Sequence, residues 1–126
     1  MATSALDVTP EEMAEYRAAY RRRLAEAEER RARLELRARA LASEAAGVLR
    51  ERFGATRVLL YGSLARGQFL VGSDIDLVAW GIDSDRWLDV VGVGMELGRE
   101  VEMSVALAQM MRPGVLTEAL QDGVDL

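Results

Sequence analysis

The sequence predicts an α+β fold: a long N-terminal helix followed by a small mixed β-sheet with one helix-covered face. Three observations carry that expectation. Residues 11–53 contain no proline, one glycine (Gly47), and mostly Ala, Glu, Leu and Arg, which are strong helix formers. After Gly54 the texture changes to short apolar runs separated by glycine and polar turns. Two of those runs alternate strictly between polar and apolar residues, the period of a strand buried on one side.

Taken in order, residues 1–10 read as a disordered lead-in. Thr9-Pro10-Glu11-Glu12 then reads as a helix start. Thr9 is placed to cap, Pro10 suits the first helical position, and Glu12 completes a capping box. An unbroken helix of about 42 residues is about 63 Å long, more than twice the expected width of a domain made from the remaining 75 or so residues. Such a helix must overhang, bend or pack on another chain. Met13, Tyr20, Ala27, Leu34, Leu41 and Val48 recur every seven residues, a heptad position. The companion position three later is poor, with Arg23, Arg30 and Arg37. Two readings stand: a solvated amphipathic helix with one buried edge, or a helix that self-associates or binds a partner. On the second, Leu34 and Leu41 serve an intermolecular contact. Leu41, Ala45, Val48, Leu49 and Phe53 form a wider apolar face that is expected to pack on the domain itself.

Arg57–Tyr61 is the first expected strand. Gly62-Ser63 turns the chain, and Leu64–Phe69 is a short helix or turn. A second strand covers Ser73–Ala79, and a helix capped by Asp83 or Ser84 covers about Asp85–Leu97. The third strand is Glu100–Leu107, and a last helix runs Val115–Leu120 before Gly123. On the second strand Asp74, Asp76 and Val78 share one face. On the third, Glu100, Glu102 and Ser104 do. The expected sheet therefore has a helix-covered apolar face and an open acidic one, with domain boundaries at 1–10, 11–53 and 54–126.

Composition narrows the chemistry. The chain has no cysteine and no histidine, which excludes disulfides, thiol chemistry, Ser-His-Asp triads and most zinc sites. All sixteen basic residues are arginine, so Schiff-base chemistry and a P-loop lysine are excluded too. No apolar run approaches the roughly 20 residues that span a bilayer, and the N-terminus lacks the pattern of a secretion signal; a cytoplasmic protein is the default. The net charge is −5. Residues 17–39 carry nine arginines against four glutamates, while residues 57–126 carry five arginines against eleven acids. Glutamates interleaved among the arginines argue against direct nucleic-acid binding.

The chemistry-bearing stretch is Tyr61–Gly81, YGSLARGQFLVGSDIDLVAWG. Asp74 and Asp76 project from one face of a strand, where two like charges are mutually repulsive. A hard divalent cation such as magnesium relieves that repulsion and shares oxygen ligands with phosphates. Gly62-Ser63 follows a strand and opens a helical segment, and glycine lets backbone N–H groups approach an anion closely. Arg66 is placed to offer a guanidinium to phosphate. Read separately, an Asp-x-Asp pair is more often a solvated strand edge and a Gly-Ser pair usually just a turn, while Arg66 is evenly balanced between phosphate ligand and surface arginine. Read together, they describe a nucleotide site.

GSLARG followed by SDIDL resembles the signature of the DNA polymerase β-like nucleotidyltransferase superfamily, and within it the minimal nucleotidyltransferase (MNT) family of antitoxins. The resemblance covers about residues 52–126. It implies the polymerase β-like core for the fold and a partner that is a HEPN-type ribonuclease toxin. It also implies ATP as substrate, two magnesium ions, and AMP transfer to a toxin hydroxyl, a tyrosine. Gly62, Ser63, Arg66 and Ser73 become nucleotide-binding residues. Asp74 and Asp76 become metal-binding and catalytic. The third carboxylate falls on Glu102, where the family usually carries Asp, with Glu100 on the same face as the alternative. The longer Glu102 side chain leaves open a second reading: an antitoxin that neutralises its toxin by binding alone. A small-molecule transferase is a third; few residues follow the last strand to build a pocket for one.

Overall fold

The computed structural model describes residues 7–126; for residues 1–6 the expected lead-in lies outside them. The chain divides into two compact units, Met1–Arg33 and Leu34–Leu126. Helix α1, Pro10–Phe53, contributes to both. The rest of the order is β1 (Arg57–Tyr61), β2 (Ile75–Trp80), a 3-10 turn at Ser84–Arg86 leading into α2 (Trp87–Leu97), β3 (Met103–Leu107), a 3-10 turn at Ala108–Met110, α3 (Pro113–Asp122) and β4 (Val124–Asp125).

Helix α1 starts as expected, the Thr9 hydroxyl accepting from the Glu12 N–H at 3.1 Å, which satisfies a donor that helix geometry leaves without a partner. In the first unit, residues 20–30 of the helix are exposed throughout. In the second, Ala38, Leu41, Ala42, Ala45, Ala46 and Leu49 are buried, at the three- and four-residue spacing of one helical stripe. Four of those six are alanine. Leu41 is only 3% exposed and Leu34 packs on the same core. These two leucines are therefore not free for an intermolecular contact. The seven-residue spacing is shared by two stretches with different surroundings, which periodicity does not distinguish.

The sheet order is β3-β2-β1-β4, with β1 antiparallel to β2 and β4, and β2 parallel to β3. One face packs Val58, Leu60, Ile75, Leu77, Ala79, Met103, Val105 and Leu107 under α1 and α2. Residues Val90 and Gly94 bring α2 down on it. The opposite face differs from the expectation of an open acidic surface. Leu59, Val78, Ala108 and Ala119 form a second buried cluster, flanked by Tyr61, Trp80, Met111 and Leu116. Apolar residues at that end of β1 and β2 are covered by α3 and the segment before it, and only the end bearing Asp76 stays polar. The Asp83 side chain caps the turn into α2, accepting from the Asp85 N–H at 2.9 Å.

Strand ends also shift. β2 begins at Ile75 and β3 at Met103, so Asp74 and Glu102 each lie one residue before their strands. The ladder is nevertheless continuous there, since the Ile75 N–H donates to the Glu102 carbonyl at 2.8 Å. The two-residue β4 had no period to betray it. Among the described residues, no helix is long and apolar enough to cross a membrane.

Candidate active site

The site is built around the turn that follows β1. Gly62 has φ +80°, a conformation that side chains rarely adopt. A Cβ at Gly62 would lie 2.5 Å from Asp76 Oδ2, below van der Waals contact. Glycine is thus favoured by the backbone conformation, and a side chain here would also displace the Asp76 carboxylate beneath it. Register places Tyr61 opposite Asp76 on β1 and β2, and Asp76 beside Ser104 on β2 and β3.

The loop leaving Gly62 is held from below and from the side. The Arg66 N–H donates to the Gly62 carbonyl at 3.2 Å, and the Gln68 N–H to the Ser63 carbonyl at 2.9 Å, winding residues 62–68 into a tight turn. Leu64 and Phe69 are fully buried anchors. From α1, the Arg39 guanidinium donates to the Leu64 carbonyl at 2.9 Å. No sequence pattern pointed to Arg39, because its partner is 25 residues away and is a backbone atom. Ser73 closes the far end: its hydroxyl accepts from the Leu70 N–H at 3.0 Å, and its own N–H donates to the Leu70 carbonyl at 2.9 Å.

Asp76 is half-buried, and its carboxyl is pushed above the usual carboxylate range. Burial is the first cause and the charge of Asp74 the second, with the Arg66 guanidinium acting in the opposite direction. The two aspartates and Arg66 therefore share one electrostatic environment. Burial and the charge of Asp76 likewise raise the Tyr61 phenol, so it stays protonated at neutral pH.

The third carboxylate stands apart. Glu102 is exposed. It lines a small cleft of about 150 Å³ with Asp74, Ser73 and Glu100. Glu100, the alternative, is paired with Arg37 of α1 at 3.0 Å. Among the described residues, no three Asp or Glu side chains gather closely enough to hold a metal ion. The donor set at Asp74 and Asp76 still fits magnesium, being all-oxygen and doubly negative, with Asp76 half-buried, Asp74 exposed and a glycine that lets the turn approach Asp76 closely.

Comparison with known proteins bears on the family and the fold. The sequence profile of the nucleotidyltransferase domain matches residues 42–107, just over half of the chain, including the Gly62 turn and all three acids. No curated protein matches the sequence. Among solved structures, one assigned as a minimal nucleotidyltransferase is 27% identical, with a TM-score of 0.57 over 70% of this chain and 91% of that one. A toxin–antitoxin complex with AMP-PNP is 16% identical, with a TM-score of 0.56 over 67% of this chain and 70% of that one. A complex of the tri-AMPylated Shewanella oneidensis HEPN toxin with its MNT antitoxin is 14% identical, with a TM-score of 0.51 over 70% of each chain. The last two similarities are of fold. Three helices around a four-stranded mixed sheet, led by a long N-terminal helix, match the minimal nucleotidyltransferase fold. The chain belongs to the nucleotidyltransferase domain family.

Proposed function

We propose that this chain is a cytoplasmic antitoxin that transfers AMP from ATP to a hydroxyl, a tyrosine, of a HEPN-type toxin. The observation that carries the reading is the contact between Gly62 and Asp76. The turn after β1 lies directly against Asp76, the place of a Gly62 Cβ being 2.5 Å from its Oδ2, and Asp76 is electrostatically coupled to Asp74 and Arg66. The fold similarity to complexes containing AMP-PNP and an AMPylated toxin supports the direction of transfer.

In this mechanism the Gly62-Ser63 turn and Arg66 hold the β- and γ-phosphates, with backbone N–H groups as the principal donors. Asp74, Asp76 and Glu102 would hold two magnesium ions, which when bound neutralise charge on the phosphates and acidify the attacking hydroxyl. The acceptor oxygen bonds to the α-phosphorus, the bond to the bridging oxygen breaks, and pyrophosphate leaves. Glu102 takes the proton of the acceptor hydroxyl. Ser73 supports the site by closing the loop before Asp74, in addition to any contact it makes with nucleotide.

One observation favours a second reading, neutralisation by binding alone. Glu102 does not converge with the two aspartates. Incubation of the chain and its toxin partner with α-phosphate-labelled ATP and magnesium separates the two. We expect label on the partner, retained or increased in Glu102→Asp and lost in Glu102→Gln. A displacement of the reacting groups by about 1 Å costs on the order of 100-fold, so the shorter acid is the informative variant. Neutralised toxin with no label under any of these conditions overturns transfer and leaves binding.

A further inference from the structure

Beside the Gly62 turn, on the polar end of the sheet, a cavity of about 440 Å³ opens between that turn and α3. Its walls include Tyr61, Gly62 and Arg66 on one side and Glu118, Gln121 and Asp122 on the other. The three α3 residues are spaced three and four apart, so they line one helical face. Val115 and Ala119 add an apolar strip between them. Ala119 is itself buried against the sheet, which fixes the helix in place. The volume lies within the range of small-molecule pockets, about 300–1,000 Å³.

Charge decides what part of a nucleotide such a cavity accepts. Phosphates belong at Gly62, where backbone N–H groups and Arg66 stand. They do not belong against Glu118 and Asp122, whose ionised carboxylates only accept hydrogen bonds. A ribose diol and an exocyclic amino group are donors of the matching kind, and an apolar strip with a half-buried aromatic suits a base. Gly62 and Arg66 line both the turn and the cavity, so a molecule with phosphates on the turn continues directly into it. We propose that this cavity receives the nucleoside half of the substrate, and that α3 selects it through Glu118, Gln121 and Asp122. The inference rests on the nucleotidyl-transfer reading of the Gly62 turn and names the subsite that reading lacks.

The test is calorimetric titration of the full chain, in magnesium, with two probes: ATP and inorganic triphosphate. The wild type is expected to bind both, ATP more tightly. Glu118→Ala with Asp122→Ala removes two exposed side chains and is expected to weaken ATP by about tenfold or more, since hydrogen bonds to charged groups are worth that much. Triphosphate should bind as before or slightly tighter, because two negative charges are gone. Val115→Trp, which fills the cavity without changing charge, should also weaken ATP and leave triphosphate unchanged. Wild-type ATP affinity in both variants overturns the inference, and if transfer to the partner falls at the same time the cavity is the acceptor's site. Failure of the wild type to bind either probe overturns the nucleotide reading itself, and this subsite with it.

Discussion

At the scale of single residues, Asp76 carries the most consequence. Burial and the charge of Asp74 raise the proton affinity of its carboxyl in the folded chain. The unfolded chain therefore releases that proton at lower pH than the folded one. Below the unfolded titration range both states are protonated and the group costs nothing. As pH rises through the folded range, ionisation costs the fold stability. Asp76→Asn, neutral and nearly isosteric, should raise the melting temperature of the metal-free protein at neutral pH. The gain should shrink to nothing in acid. The same variant should lose magnesium-dependent nucleotide binding. Thermal melts at neutral and acidic pH, with and without magnesium, check this; lower stability at neutral pH would sink the electrostatic account.

At the scale of elements, the contact between α2 and β3 depends on backbone proximity. A Cβ at Gly98 would lie 2.5 Å from the Gly94 carbonyl oxygen and 2.7 Å from the Met103 N. Neither neighbour is a flexible side-chain end, so the backbone itself would have to move. Gly98→Ala is expected to destabilise the fold by about 1–3 kcal/mol, the usual cost of overpacking, read as a lowered denaturant midpoint at unchanged slope. Because β3 begins five residues on and follows Glu102, transfer activity should fall further than stability alone explains. The elements themselves were largely legible in the sequence. Strand β1 and the capped start of α1 stand where residue type and spacing put them. What misled was the reach of strict alternation. It extended β2 and β3 to Ser73 and Glu100, whereas the ladder starts at Ile75 and Met103. A loop approaching a sheet alternates as well as a strand does, and only hydrogen bonding across the pair separates them.

At the scale of the whole chain, the described residues of the first unit include large apolar side chains open to solvent. Tyr20 is 61% exposed and Leu24 53%, four apart on one side of α1. Helix propensity and ion pairs such as Arg31 with Glu28 at 2.8 Å stabilise such a helix, yet exposed pairs of this kind contribute little. On the reading of α1 as a helix that self-associates or binds a partner, Tyr20 and Leu24 rather than Leu34 and Leu41 are the side chains free to make the contact. Tyr20→Glu with Leu24→Glu should change the assembly mass in light scattering or weaken partner binding, while the melting of the unit at Leu34–Leu126 stays the same. Unchanged assembly and unchanged partner affinity would return this stretch to the status of a solvated helix.

Residue type and spacing by themselves determined the α+β class, the absence of thiol and histidine chemistry, and the strand-turn-strand frame that carries the Gly-Ser turn and the Asp-x-Asp pair of the candidate site. Those are local properties: propensity, period and the chemistry of side chains a few positions apart. Only the tertiary structure decided that Gly62 lies directly over Asp76, that Arg39 holds the loop through Leu64, and that Glu100 is taken by Arg37. It alone also decided that Leu34 and Leu41 belong to the core and that α3 covers half of the second face to leave a cavity beside the turn. Each of these depends on distances between residues remote in sequence, and a one-dimensional period specifies which face a residue occupies without specifying what lies against it.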